Sequence, residues 1–316
     1  MKTAFNAHLG IHPRTIGFFS PAGVITDPVR LIQAQQYFEL LGHTVQAMPH
    51  MLGRHQRFAG TDAERLQDLY AVCENLDIDF ALATRGGYGL SRLLPQIDFP
   101  RLAAALQGRA LVGHSDLNTL QLALYTRTHT ASWCGPMASF DFGDESVDAF
   151  MAAQFWQAMQ TGAVSFSFPL AVSDAASVQA QSVWQGTLWG GNLAVLCSLL
   201  GTPWMPTVRN GILFLEDINE HPYRVERMLL QLAYAGVLDQ QQLILLGDFS
   251  GYRLADFDAG YDLAAAVRAL RAVIKTPILT GLPFGHVAAK ACLPIGGQAK
   301  VACAENTVVV QARLSL

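Results

Sequence analysis

Along the first half of the chain, short and almost wholly apolar runs alternate with longer stretches whose apolar residues recur every three or four positions. Ile16, Phe18 and Phe19 predict a first strand over 14–20, broken by Pro21-Ala22-Gly23. Asp27-Pro28 supplies an N-cap followed by proline at the first helical position, and the helix runs to Leu41, where Gly42 closes it. A second strand falls at 43–48. Thr61-Asp62-Ala63-Glu64 is a capping-box pattern opening a helix whose Leu66, Leu69, Tyr70 and Cys73 face inward. Strands at 80–84 and 109–112 follow, the latter leading into a helical pattern carrying Leu117, Leu120, Leu122 and Leu124. Strands alternating with helices predict an α/β fold with an open, largely parallel sheet flanked by helices, whose ligands sit beyond the carboxyl ends of the strands.

Residues 144–160 read as a helix containing Phe150, Phe155 and Met159, ended by Thr161-Gly162. The weakly periodic segment 163–182 reads as a crossing between domains. The N-terminal α/β domain is therefore expected at 1–162, and a second α/β domain with a β-rich core at 183–316. Gly190-Gly191 predicts a tight turn into a helix over 193–200. A strand at 211–217 ends in Glu216 and Asp217, and Val225, Met228, Leu229 and Leu232 form one face of the next helix. A buried strand at 243–246, a glycine-bounded loop at 281–286 and the segment Leu293-Pro294-Ile295-Gly296 complete the pattern.

Composition narrows the function classes. The 316 residues are 51% hydrophobic and 15% charged, which suits a globular chain of two domains. A net charge of −4 without a basic block argues against a nucleic-acid partner. No apolar run approaches the ~18 residues of a membrane span, and the first eight residues lack the apolar core of a signal peptide. Five dispersed cysteines without a C-x-x-C pair predict reduced thiols in a cytoplasmic protein. His50 and His55 have no acid or thiol cluster beside them, so neither a metal site nor another cofactor is expected.

The candidate chemistry gathers at Gly113-His114-Ser115-Asp116, where a strand turns into a helix. Ser115 is either a helix cap or a nucleophile raised at a strand-to-helix corner, with Asp116 in a first turn that favours a carboxylate. The loop Arg85-Gly86-Gly87-Tyr88-Gly89 has the wrong spacing for a phosphate loop. It is either a tight turn or a place where backbone N–H groups near Gly86 and Gly87 join that of Asp116 as an oxyanion hole. Arg85 is a surface residue or a partner for a substrate carboxylate. Successive strand residues face opposite ways, so only one of Glu216 and Asp217 is expected in any given site. Both faces of that strand are apolar, and periodicity does not choose between them. His286 is a filler or a general base.

Gly113-His114-Ser115-Asp116, Gly190-Gly191-Asn192, the run from Leu215 through Glu216, Asp217 and His221 to Leu229, and Gly281-Leu282-Pro283-Phe284-Gly285-His286 together resemble the LD-carboxypeptidase family. The resemblance runs from Ser20 to the Leu293 segment. It implies a two-domain Ser-His-Glu serine peptidase, often a homodimer, that needs no cofactor. Such an enzyme removes the terminal D-alanine from the muropeptide tetrapeptide of recycled cell-wall fragments. Carried over by motif, Ser115 is the nucleophile, Glu216 the acid and His286 the base, in a cleft between domains. Asp217 is left as a cap or turn acid. Leu117 stands where a G-x-S-x-G hydrolase has its second glycine, so the α/β-hydrolase fold is not expected. Microcin C immunity peptidases share the resemblance and cleave a peptidyl-nucleotide; an aromatic clamp, with Trp184 or Trp189 as candidates, would mark that class. A non-catalytic muropeptide-binding protein would lack the triad.

Overall fold

The computed structural model describes residues 12–175, 178 and 181–314. In chain order the first sheet's elements are β1 (Thr15–Phe19), α1 (Pro28–Leu40), β2 (Thr44–Ala47), α2 (Asp62–Glu74), β3 (Phe80–Ala83), α3 (Phe99–Ala105), β4 (Ala110–Gly113), α4 (Leu117–Thr128) and β5 (Ser132–Cys134). Helix α5 (Ala149–Thr161) follows. Then come β6 (Ala163–Pro169), β7 (Val183–Asn192), α6 (Leu193–Leu199), β8 (Ile212–Ile218), α7 (Pro222–Tyr234) and β9 (Leu243–Ser250). The chain ends with α8 (Leu263–Val273), β10 (Ile278–Thr280), β11 (Leu293–Ile295), β12 (Gly297–Ala304) and β13 (Thr307–Arg313).

The first sheet has the order β2-β1-β3-β4-β5-β11 and is parallel from β2 to β5. Its central strand β3 is buried at every position, as the unbroken apolar run of a sheet covered on both faces requires. Sheet growth reverses between β1 and β3, the place where such folds open a crevice at the carboxyl edge. There Ser20 Oγ and Thr84 Oγ1 lie 2.6 Å apart. The caps form as the sequence predicts: Asp27 accepts from Val29 N–H, and Thr61 and Glu64 complete their capping box. Helix α5 starts at Ala149, five residues later than its pattern suggested. Residues 138–142 wind as a π-helical turn, and Asp148 is the residue that caps α5.

The second sheet has the order β10-β9-β8-β7-β12-β13-β6. It is parallel from β10 to β7 and antiparallel from β7 to β6. Two readings of the sequence change here. Residues 163–169, within the expected crossing, form a strand, because Val164, Phe166 and Phe168 point inward between outward serines at a period of two. Gly190 and Gly191 do not turn; they continue β7. A Cβ on Gly190 would lie 1.9 Å from Phe214 O, and one on Gly191 would lie 2.5 Å from Asn118 Oδ1, so these glycines serve close approach. Strand β11 leaves the second half of the chain and pairs antiparallel with β5, which closes the edge of the first sheet. The two sheets are thereby stitched together, because Gly296, just after β11, donates its N–H to Leu188 O of β7 at 2.8 Å.

Candidate active site

Strand β4 delivers Ser115 to the carboxyl edge of the first sheet. Ser115 has φ +63°, the left-handed region, where a residue with a side chain carries strain on the order of 1–3 kcal/mol. Hydrogen bonds from Leu117 N–H to His114 O (3.3 Å) and from Asn118 N–H to Ser115 O (2.9 Å) commit the chain to α4 and hold that corner. Three loops meet at this edge. Gly23 N–H donates to Gly86 O at 3.0 Å, and a Cβ on Gly86 would lie 2.6 Å from Ser115 Oγ and 3.3 Å from Asp116 N. Glycine at 86 therefore lets the loop backbone lie against the serine hydroxyl. Gly87 is needed for a different reason, its φ of +104°.

The Asp116 carboxylate does not cap α4. It accepts Leu90 N–H at 3.0 Å and so ties the glycine loop to the serine corner, while burial pushes its pKa up to about 6. Arg85 donates to Val24 O (2.7 Å) and Thr26 Oγ1 (3.4 Å). Burial and the nearby Arg57 lower its pKa, and no carboxylate pairs with it among the described residues.

From the second sheet, β8 brings Glu216 and Asp217. The ladder with β9 slips opposite Glu216: Leu215 pairs with Leu246 but Asp217 pairs with Phe249, so β9 carries one extra residue there. Glu216 is fully buried, and its Oε2 lies 2.8 Å from His286 Nδ1. His286 Nε2 lies 3.1 Å from Ser115 Oγ. An ionised carboxylate can only accept, so Nδ1 donates to Glu216 and Nε2 is left to take the serine proton. Ser115, Glu216 and His286 are thus brought together, the first from one sheet and the other two from the second.

The two adjacent acids, expected to face opposite ways, nevertheless share one partner. Asn192 Nδ2 donates to both Glu216 Oε1 (3.2 Å) and Asp217 Oδ1 (3.0 Å). Asp217 otherwise caps α6, accepting Ala194 N–H at 2.8 Å, and burial pushes its pKa up to about 6. It is a cap acid, but for the helix after β7 and not for the turn at 219–222.

Sequence reasoning gave no role to Asn192, which stood in plain view after the paired glycines, and it missed two buried neighbours of His286. His114 Nδ1 donates to Gly135 O at 2.8 Å, and its ring meets that of His286 edge-on, with centroids 4.9 Å apart. Burial, then Lys290 and His286, hold its pKa well below the ordinary histidine value. Lys290 pairs with Asp141 at 2.6 Å, both side chains sealed from solvent. Trp189 is fully buried and donates to Gln241 Oε1, so it is a core residue; Trp184 is half-buried on the same strand.

The sequence matches the family model for the LD-carboxypeptidase N-terminal domain over residues 16–135 and that for the C-terminal domain over 185–301. The chain belongs to the LD-carboxypeptidase family. As a member of it, the protein is a hydrolase. It is 32% identical over 301 residues to a probable murein peptide carboxypeptidase of Bacillus subtilis, an alignment covering 95% of this chain and 92% of that one. The crystal structure of muramoyltetrapeptide carboxypeptidase from Oxalobacter formigenes superposes with a TM-score of 0.87 at 38% identity, covering 95% and 98% of the two chains. The microcin C7 self-immunity protein of Escherichia coli is 26% identical over 314 residues, covering 89% and 88%. Among the described residues, no helix of this LD-carboxypeptidase is long and apolar enough to cross a membrane. Nor, among them, do three or more His, Cys, Asp or Glu side chains gather as a metal site.

Proposed function

We propose that this enzyme releases the terminal D-alanine from muramoyl tetrapeptides by a Ser-His-Glu acyl-enzyme mechanism. The observation that carries the reading is the unbroken hydrogen-bonded line from Ser115 Oγ through His286 to the buried Glu216. His286 takes the proton as Ser115 Oγ attacks the carbonyl before D-alanine, and Glu216 holds the imidazole in the required tautomer and stabilises its charged form. Backbone N–H groups of the Gly86-Gly87 loop and of Asp116 receive the oxyanion. His286 then protonates the leaving amine, and water clears the acyl-enzyme.

In this reading, residues 1–162 supply the nucleophile and 183–316 the acid and base. The enzyme works as a cytoplasmic homodimer on recycled wall fragments, and Arg85, held by Val24 O and Thr26 Oγ1, is the partner for the substrate carboxylate. The burial of Trp189 removes one candidate for a nucleobase clamp and favours a muropeptide over a peptidyl-nucleotide. The test is D-alanine release from a muramoyl tetrapeptide, measured beside cleavage of an acyl-sulfamoyl adenylate. Wild type should cleave the tetrapeptide preferentially and Ser115→Ala neither. Turnover by Ser115→Ala would overturn the mechanism, and preference for the adenylate would overturn the substrate.

A further inference from the structure

We infer that Asn118 is a positioning residue that sets the separation between the nucleophile and its acid across the two sheets, an inference that rests on the triad reading above. Asn118 is fully buried in the first turn of α4, one helical turn beyond Ser115. Its Oδ1 accepts Asn192 N–H at 3.0 Å, a bond that crosses from the first sheet's helix to the end of β7.

The orientation of both amides follows from their partners. Gln121 Nε2 donates to Gly113 O (3.3 Å) and Trp133 O (2.7 Å), which leaves Gln121 Oε1 as an acceptor. Asn118 Nδ2 must therefore face Gln121 Oε1 (2.8 Å), with Cys134 Sγ 3.0 Å away, and Oδ1 is turned to Asn192. Asn192 is fixed in the same way. Its Oδ1 accepts Val195 N–H at 3.1 Å as the cap of α6, so its Nδ2 faces Glu216 and Asp217.

These bonds close a circuit. Ser115 Oγ meets His286, His286 meets Glu216, and Glu216 meets Asn192. Asn192 N–H meets Asn118, and Asn118 N–H returns to Ser115 O. The catalytic half of the ring makes the chemistry, and the Asn118 half closes it through the scaffold. Gly191 is the matching concession on the other side, since a Cβ there would lie 2.5 Å from Asn118 Oδ1. A fully satisfied buried network of this kind is rigid, so the Ser115–His286 distance is inherited from it.

The test is steady-state D-alanine release by Asn118→Leu, a near-isosteric change that removes the acceptor. Displacement of a reacting group by ~1 Å costs roughly 100-fold, so kcat should fall by about that factor while KM stays within about twofold. The acid limb of kcat/KM should move to lower pH, because a displaced Glu216 stabilises the imidazolium less. Asn118→Asp, protonated in its buried site, keeps both the acceptor toward Asn192 and a donor toward Gln121, and it should recover at least about tenfold of the loss at mildly acidic pH. If Asn118→Leu shows no cooperative melt, Gly191→Ala replaces it, striking Asn118 Oδ1 from the opposite side. A removing variant with kcat within about threefold of wild type, a loss confined to KM, or Asp and Leu equally impaired would overturn the inference. Ser115→Ala assayed alongside separates the two failures: if it turns over, the triad reading falls, whereas if it is silent and Asn118→Leu is fully active, only the role of Asn118 falls.

Discussion

Glu216 accepts from His286 and Asn192, whereas Asp217 accepts from Ala194 N–H, Ile218 N–H and the same Asn192 amide. The two neighbours should respond oppositely to neutralisation. Glu216→Gln offers His286 Nδ1 the wrong partner, and kcat should drop by roughly 10⁴ in a folded enzyme. Asp217→Asn should keep most activity and lose stability in a pH-dependent way. The folded Asp217 titrates at about 6, above its unfolded range. Stability linked to the proton it holds is complete below about pH 4 and is lost as pH rises through the folded value, on the order of 3 kcal/mol in all. Asparagine does not titrate, so its deficit in Tm against wild type should be largest at low pH and should narrow by pH 7. Kinetics and thermal melts on the two variants check both halves; a dead Asp217→Asn beside an active Glu216→Gln would move the acid by one residue.

At the scale of elements, the segment that follows His286 is tied to the π-helical turn at 138–142 by the sealed Lys290–Asp141 pair. Removing one member of a buried pair strands the other, which costs about 3–5 kcal/mol, whereas removing both charges is far milder. Lys290→Met should therefore lower the denaturation midpoint sharply. Lys290→Met with Asp141→Asn, which preserves an acceptor for Met137 N–H, should recover at least half of the loss; simple additivity in denaturant melts would refute the pairing argument. The strands and caps around these groups were legible because their signals are local. Apolar runs at 80–83 and 243–246 and the Thr61 capping box need only a few neighbours to act. Gly190-Gly191 misled because the reason for two glycines lies across the fold, at Phe214 O and Asn118 Oδ1. The alternation in Val164-Ser165-Phe166-Ser167-Phe168 was readable but lay inside a segment otherwise lacking period. Of the site, the triad came from motif resemblance; the register slip of β9 opposite Glu216 and the Asn118–Asn192 bond depend on how distant elements meet and could not be read from spacing.

The whole molecule shares one stitched core. Strand β11 carries Leu293 opposite Cys134 of β5, and these residues are fully buried. Neither half keeps its surface if the other melts, so calorimetry should show one transition with equal calorimetric and van't Hoff enthalpies. Two resolved transitions would show that the halves unfold separately. The same strand also has a consequence during synthesis. The first sheet is translated early, but its last strand emerges only after about 160 further residues, roughly 10–30 s at ordinary elongation rates. For that interval the nascent chain presents the open edge of β5 to the cell, an invitation to mispairing that holding chaperones exist to mask. His286 also leaves the ribosome only just before that strand, so the hydrolase is born inert and acquires its base within moments of acquiring its missing edge.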